Sequence, residues 1–240
     1  GFFEDSEDGK LALTKTGSGT LTLNGAANSF SGDTTISGGT LTLTGSATID
    51  NTQNIYLSSG TTLNVSGLSS TFTLDDGQSL AGTGSITGDI TFASTNSTGA
   101  NFQDGSNIKP GDTATNYGIG KIEVTGAGTW NAGTTYQWEI NDLTGDAGDA
   151  NGDGKGWDYL TFSGALTIAG DTNNKILLDI AALDGYNSPY NLLGESGVGN
   201  TQRPAINRTL KPGYEFEIVH AEGGISGFDA DHFEIEYTHF

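Results

Sequence analysis

The sequence predicts an all-β chain wound as a right-handed parallel β-helix, with a modified, longer-stranded cap region at its C-terminal end. Three observations predict it. The phrase GSGTLTLNG at 17–25 returns as SGGTLTLTG at 37–45, and a looser copy, SGTTLNVSG, follows at 59–67. Thr20 and Thr40 stand 20 residues apart, a period at which each repeat forms one coil that must stack to bury its apolar face. Apolar and polar residues alternate within each phrase, the signature of half-buried strands. The chain holds 38 glycines among 240 residues and is 34% hydrophobic. That balance suits many short strands joined by tight turns.

Taken in order, residues 1–10 (GFFEDSEDGK) form an extended N-terminal segment, with two aromatics ahead of an acidic run. A solvated tail is one reading; a strand that docks into another copy is the sharper one. Residues 11–129 form the repeat solenoid. Leu11 and Leu13, Leu21 and Leu23, Leu41 and Leu43, and Leu63 and Val65 are expected to stack as one ladder. Lesser strands are expected at 34–37, 54–57, 71–74 and 85–92. Residues 93–120 read as a long loop, including NIKPGD at 107–112, before another coil at 121–126.

From 130 to 240 the strands lengthen and gain aromatics, at 134–141, 157–168, 175–183, 214–220 and 233–239. Solenoids need atypical terminal repeats to close the core, so this region is expected to continue the solenoid, with loop insertions and a cap. Residues 184–213 read as an excursion with at most one helical turn, at 189–193.

The stretch LTKTGSGTLTLNGAANSFSGDTTISGGTLTLTG resembles the passenger-associated transport repeat, also called the autotransporter-associated β-strand repeat, closely over residues 11–45. The likeness lies in KTGSGTLTLNG, NSFSG and TTISGGTL, with looser echoes to about residue 129. The resemblance implies an exported bacterial β-helical protein at a cell surface or outside the cell. The absence of Met fits that expectation through removal of a signal peptide.

Charge narrows the partners. The net charge is −20, with nine basic residues, so nucleic acid is not expected, because it binds clustered Lys and Arg. Membrane insertion is not expected either. Cations, calcium above all, are. The candidate metal site is DANGDGKGWD at 149–158, whose Asp149, Asn151 and Asp153 fit the first half of a calcium loop. The Lys155 carbonyl and the Asp158 carboxylate would complete the oxygen set. The twelfth position is Leu160 where a carboxylate is usual, so a plain Asn/Asp/Gly-rich turn stays open beside calcium.

Other chemistry is thin. Asp75–Asp76 is a carboxylate pair of the kind glycosidases use, or simply a turn. No zinc, nucleophile-elbow or nucleotide-loop spacing occurs. Asn64, Asn96 and Asn207 fit glycosylation sequons. The chain is therefore read as no enzyme. It is expected to be a secreted structural protein that assembles head to tail with other copies. The interface would use Gly1, Phe2, Phe3 and Glu4 at one end, and Phe233, Ile235, Tyr237 and Phe240 at the other. The competing expectation is an adhesin that presents Thr, Ser and Asn ladders to surface glycans.

Overall fold

A computed structural model describes residues 3–7, 9–25, 28–94, 105–113, 118–183 and 215–239. The other positions lie outside the described residues, among them Gly1, Phe2, Phe240 and the expected turn at 189–193.

Short strands follow one another around three sides, and each side stacks into a parallel ladder. The first coil has β1 (Leu13–Lys15) and β2 (Thr20–Asn24); the second has β3 (Thr34–Ile36) and β4 (Thr40–Gly45). The third has β5 (Asn54–Leu57), β6 (Thr62–Leu68) and β7 (Phe72–Leu74). The fourth has β8 (Ser79–Gly82), β9 (Ser85–Thr87) and β10 (Ile90–Phe92). The fifth has β11 (Asn107–Pro110), β12 (Lys121–Thr125) and β13 (Gly128–Asn131). The sixth has β14 (Thr135–Ile140), a side pair β15 (Asp146–Ala147) and β16 (Gly156–Trp157), then β17 (Tyr159–Phe162) and β18 (Leu166–Ala169). The seventh has β19 (Ile176–Ala182), β20 (Val219–Ala221) and β21 (Ile225–Ser226). A 3₁₀ turn, Ala230–His232, leads to β22 (Phe233–His239).

The first side runs β1-β3-β5-β8-β11-β14-β19-β22, the second β2-β4-β6-β9-β12-β17-β20, and the third β7-β10-β13-β18-β21. Every pairing along these three ladders is parallel. The chain is thus a three-sided parallel β-helix.

The period-2 pattern sets the register. Leu21 faces Leu41, Leu41 faces Leu63, and Leu63 faces Ile86. Leu41, Leu63 and Ile86 are fully buried, while the Thr and Asn beside them look outward. Each fully buried aliphatic side chain contributes about 1.5–3 kcal/mol. The core grows aromatic toward the C-terminal half. Trp130 packs edge-on against Phe92, Tyr136 and Phe233, with ring centroids 6.5, 5.6 and 6.3 Å away.

Turns between coils approach one another closely. Gly39 has φ +67, and a Cβ there would sit 2.3 Å from the Gly19 carbonyl oxygen. Only glycine fits such a place. Beside it, Lys15 is buried, and its Nζ donates to the carbonyls of Thr16, Gly17 and Gly38, each at 2.8 Å. The lysine of the KTG phrase therefore ties one turn to the turn above it.

Three expectations are corrected. Leu13 lies in β1 and faces Thr34, so it stacks on the first side, not in the Leu21–Leu41 column. About ten residues separate it from Leu23, which is half a coil. The expected strand at 85–92 is two strands that bend apart at Gly88, φ +115. Residues 107–110, read as loop, form an interior strand. Pro110 is tolerated there because it is the last residue of β11 and pairing with β14 has already ended at Ile108.

Candidate functional site

The six exposed large apolar residues among those described fall at the two ends of the stack. Phe3 and Leu11 lie at the start; Ile225, Phe228, Ile235 and Tyr237 lie at the finish. Their exposures run from 39 to 68%, and no other described large apolar side chain along the solenoid is as open. Scattered surface apolars need no explanation, but apolar groups gathered on one surface do.

At the starting end, residues 3–5 form one more rung beneath the third side. The Ser29 amide donates to the Phe3 carbonyl at 2.9 Å, and the Phe3 amide to Asn28 Oδ1 at 3.1 Å. The Phe3 ring packs edge-on against buried Phe30, centroids 6.4 Å apart. Asp5 clamps the rung. Its carboxylate accepts from the Leu11 and Ser31 amides at 2.7 and 2.9 Å and from Ser31 Oγ at 2.6 Å. The Ser31 bonds, hydroxyl first, hold its pKa below the usual value. The segment expected to reach out thus lies against its own first coil, with Ser6 bridged to Gly9 beyond it. Glu4 is exposed.

At the finishing end, β22 is the last rung of the first side. Ile235 faces Leu178, and Tyr237 faces Ile180. Below them in the same columns stand buried Tyr136 and Trp138. Ile235 and Tyr237 therefore occupy core positions of a coil that has no rung above it among the described residues. Phe233 differs: it is partly buried against the core and touches Trp130 and Phe228. Ile225 and Phe228 went unseen in the sequence, because each is a lone apolar residue outside any alternating run; Leu11, expected in the buried ladder beside Leu13, lies ahead of β1 and is exposed instead.

The expected metal loop is a self-satisfied turn. Asp149, at φ 53, accepts from the Gly154 amide at 2.8 Å. Asn151 Nδ2 donates to Asp146. Asp153 accepts from the Lys155 amide at 3.1 Å. Asn141 braces the loop, donating to the Gly154 carbonyl and accepting from the Gly156 amide at 2.7 and 2.9 Å. Asp158 is not part of it. It is fully buried and accepts from the Gly120 and Glu139 amides, each at 3.0 Å. The residue after Trp157 points inward, and its carboxylate needs those donors. Among the described residues, no group of three or more His, Cys, Asp or Glu is placed to hold a metal ion.

Asp158 instead joins two other buried carboxyls. Asp112 and Glu139 share donors: the Gly118 amide reaches both at 3.2 Å, and Gln137 Nε2 reaches them at 3.3 and 2.8 Å. Burial pushes Asp112 up to about 6, against a lowering pull from Lys109. Burial, reinforced by the Asp112 charge, pushes Glu139 up to about 8. Burial, with Glu139 nearby, raises Asp158 well above its ordinary value. Glu139 alternates with Trp138 along β14, so its side chain does not join the aromatic stack. Residues 118–120 and Asp158 cover it instead. The Asp75–Asp76 pair sits in a turn in which the Gln78 amide donates to the Asp75 carbonyl at 3.0 Å.

Among the described residues, no helix is long and apolar enough to cross a membrane. A search of curated proteins and a search of solved structures each returned no match. Residues 13–43, which run from β1 into β4, match the model of one family, the passenger-associated-transport-repeat. The chain is a β-solenoid that carries the passenger-associated-transport-repeat in its first two coils.

Proposed function

We propose that this chain is an extracellular structural module whose solenoid joins to further copies through its ends. The repeat points to passenger-type proteins, which are secreted or displayed at the surface. The observation that carries the reading is that, among the described residues, exposed large apolar side chains gather at the two ends of the stack. Edge strands present unpaired backbone groups and readily take another strand. An apolar edge at both ends suits stacking of one solenoid on another.

Negative-stain microscopy with light scattering tests this reading. Filaments or short stacks are expected from the wild-type chain. Tyr237→Lys, which places a charge on the open end, is expected to leave single rods. A wild-type chain that stays monomeric at high concentration would overturn the proposal.

A second reading has its own observation. Thr73, Thr91, Thr129, Thr167 and Ser226 stand in one register down the third side. This column of hydroxyls bears no charge, on a protein of net charge −20. A neutral glycan is the partner such a column suits. Saturable retention on a glycan array, lost on Thr129→Glu, would favour this reading over assembly.

A further inference from the structure

The three sides differ in what they turn away from the core. On the third side β7 and β10 each turn out one residue, Thr73 and Thr91, so that side carries a single column there. The outer column of the first side reads Thr14, Thr35, Tyr56, Ala81 and Lys109, mixed in size and charge. The second side is unlike both. Over its first four rungs it carries two outer columns side by side. One is Thr20, Thr40, Thr62 and Ser85; the other, two residues along each strand, is Thr22, Thr42, Asn64 and Thr87. Between them Leu21, Leu41, Leu63 and Ile86 turn into the core.

We propose that this two-column face binds ice. Spacing is the first argument. Rungs of a parallel sheet repeat at about 4.8 Å, and alternate residues of one strand stand roughly 6.7 Å apart. Tetrahedral water with O–H···O distances of about 2.75 Å places second-neighbour oxygens about 4.5 Å apart, and hexagonal ice repeats at about 7.3 Å along the axis normal to that row. The grid thus falls within about a tenth of both lengths, and over four rungs the mismatch along a column grows to only about 1 Å. A sugar chain has no need of a two-dimensional repeat; a crystal does.

Side-chain chemistry is the second argument. Branching at Cβ restricts χ1 of threonine, so each hydroxyl and methyl is held in place before binding. The hydroxyls of Thr20, Thr22, Thr40 and Thr42 have no partner among the described residues. In the next two rungs the Thr62 and Ser85 hydroxyls bond each other at 3.2 Å, and Asn64 Oδ1 accepts from the Ser66 amide and hydroxyl at 3.1 and 2.8 Å. The free hydroxyls therefore lie mainly in the first two rungs, and the next two extend the neutral face.

Charge is the third. Strands β2, β4, β6 and β9 hold no charged residue, on a chain of net charge −20. Ice is a neutral lattice, and a charged side chain would keep its own hydration shell against it. The pattern stops at the fifth rung, where Lys121 and Glu123 pair at 3.0 Å. Beyond Ser85 the first column continues as Glu123, Thr161 and His220.

The test follows single ice crystals and the coarsening of polycrystalline ice in solutions of the full chain. Wild type is expected to facet the crystals and to arrest coarsening. Thr42→Lys puts a long charged side chain in the middle of the grid and is expected to abolish both effects with the melting temperature unchanged. Should Thr42→Lys fail to fold, Thr22→Lys, at an exposed position, carries the test. Thr129→Glu, on the third side, is expected to leave both effects intact. Round crystals and coarsening equal to an albumin control in the wild type would overturn the proposal. Retained activity in the folded lysine variant, or equal loss in Thr129→Glu, would overturn the assignment to the second side. None of these outcomes depends on whether the ends join copies.

Discussion

In the first four coils, partners on neighbouring rungs are 18 to 25 residues apart, as with Phe72 and Ile90 or Asn54 and Ser79. From the fourth coil onward they are 28 to 59 apart, as with Ile108 and Leu80 or Leu160 and Val219. The ladders do not register the change. Ile122 sits on Leu160 as squarely as Leu21 sits on Leu41. Extra chain enters at the corners, where a loop costs little additional closure entropy, while the rungs keep their spacing. The rung, not the repeat, is the structural unit. What the late coils change is the filling. Leu and Ile give way to Trp130, Tyr136, Trp138 and Phe162, and the buried carboxyls Asp112, Glu139 and Asp158 appear.

The contrast can be broken most sharply at the aromatic centre. Trp130→Ala removes a ring that touches three others and is expected to cost about 3–5 kcal/mol. Leu41→Ala in the early coils is expected to cost about 2–4 kcal/mol. Denaturant titration of both variants checks the order. A larger loss at Leu41 would place the stability of the stack in its regular coils.

The buried carboxyls should give the late coils a stronger pH dependence than the early ones, where, among carboxyls, burial raises only the partly covered Asp50 and Asp75. The shifts of Asp112, Glu139 and Asp158 are upward, so the folded chain holds more protons than the unfolded chain. Their contribution is then fully present below the ordinary carboxyl range and is lost as pH rises toward and through about 8. The melting temperature is expected to fall from pH 5 to pH 9, and Glu139→Gln is expected to flatten that fall. Equal slopes for the two proteins would remove the shared-donor pair as its source.

Backbone approach tests the early coils in turn. Gly39→Ala forces a side chain onto the Gly19 carbonyl at positive φ and is expected to cost about 1–3 kcal/mol. The smallest effect should come from the insertion in the sixth coil. Asn141→Ala loses two bonds to the loop at 146–156 and is expected to cost about 1 kcal/mol. Hydrogen exchange should rise in that loop and stay unchanged in β17. A global rise would make the loop part of the cooperative stack.

The early coils were legible because Thr-Leu-Thr-Leu writes both the strand and its register in consecutive residues. The glycine pairs around it mark the corners just as locally. The family resemblance lay in the same stretch. Legibility failed wherever a partner comes from a distant coil. Nothing near Glu139 announces that the Gly118 amide and Asp158 will bury it. Asp158 looked like a loop ligand because it follows DANGDGKGW, yet the chain turns inward at that residue. The open ends were half legible. Phe3, Ile235 and Tyr237 belong to aromatic or alternating runs, while Ile225 and Phe228 stand among Gly, Ser and Asp and give no pattern.

The lysine sewn between the first two turns also has a practical consequence. Its amine spends its donors on three carbonyls and sees little water, so an amine-reactive label should pass it by in the folded chain. Lys121 and Lys155, whose side chains are 44 and 59% exposed, should react at once. Mass spectrometry of the labelled peptide containing Lys15 would therefore time the opening of the first coil at that one lysine, without any mutation.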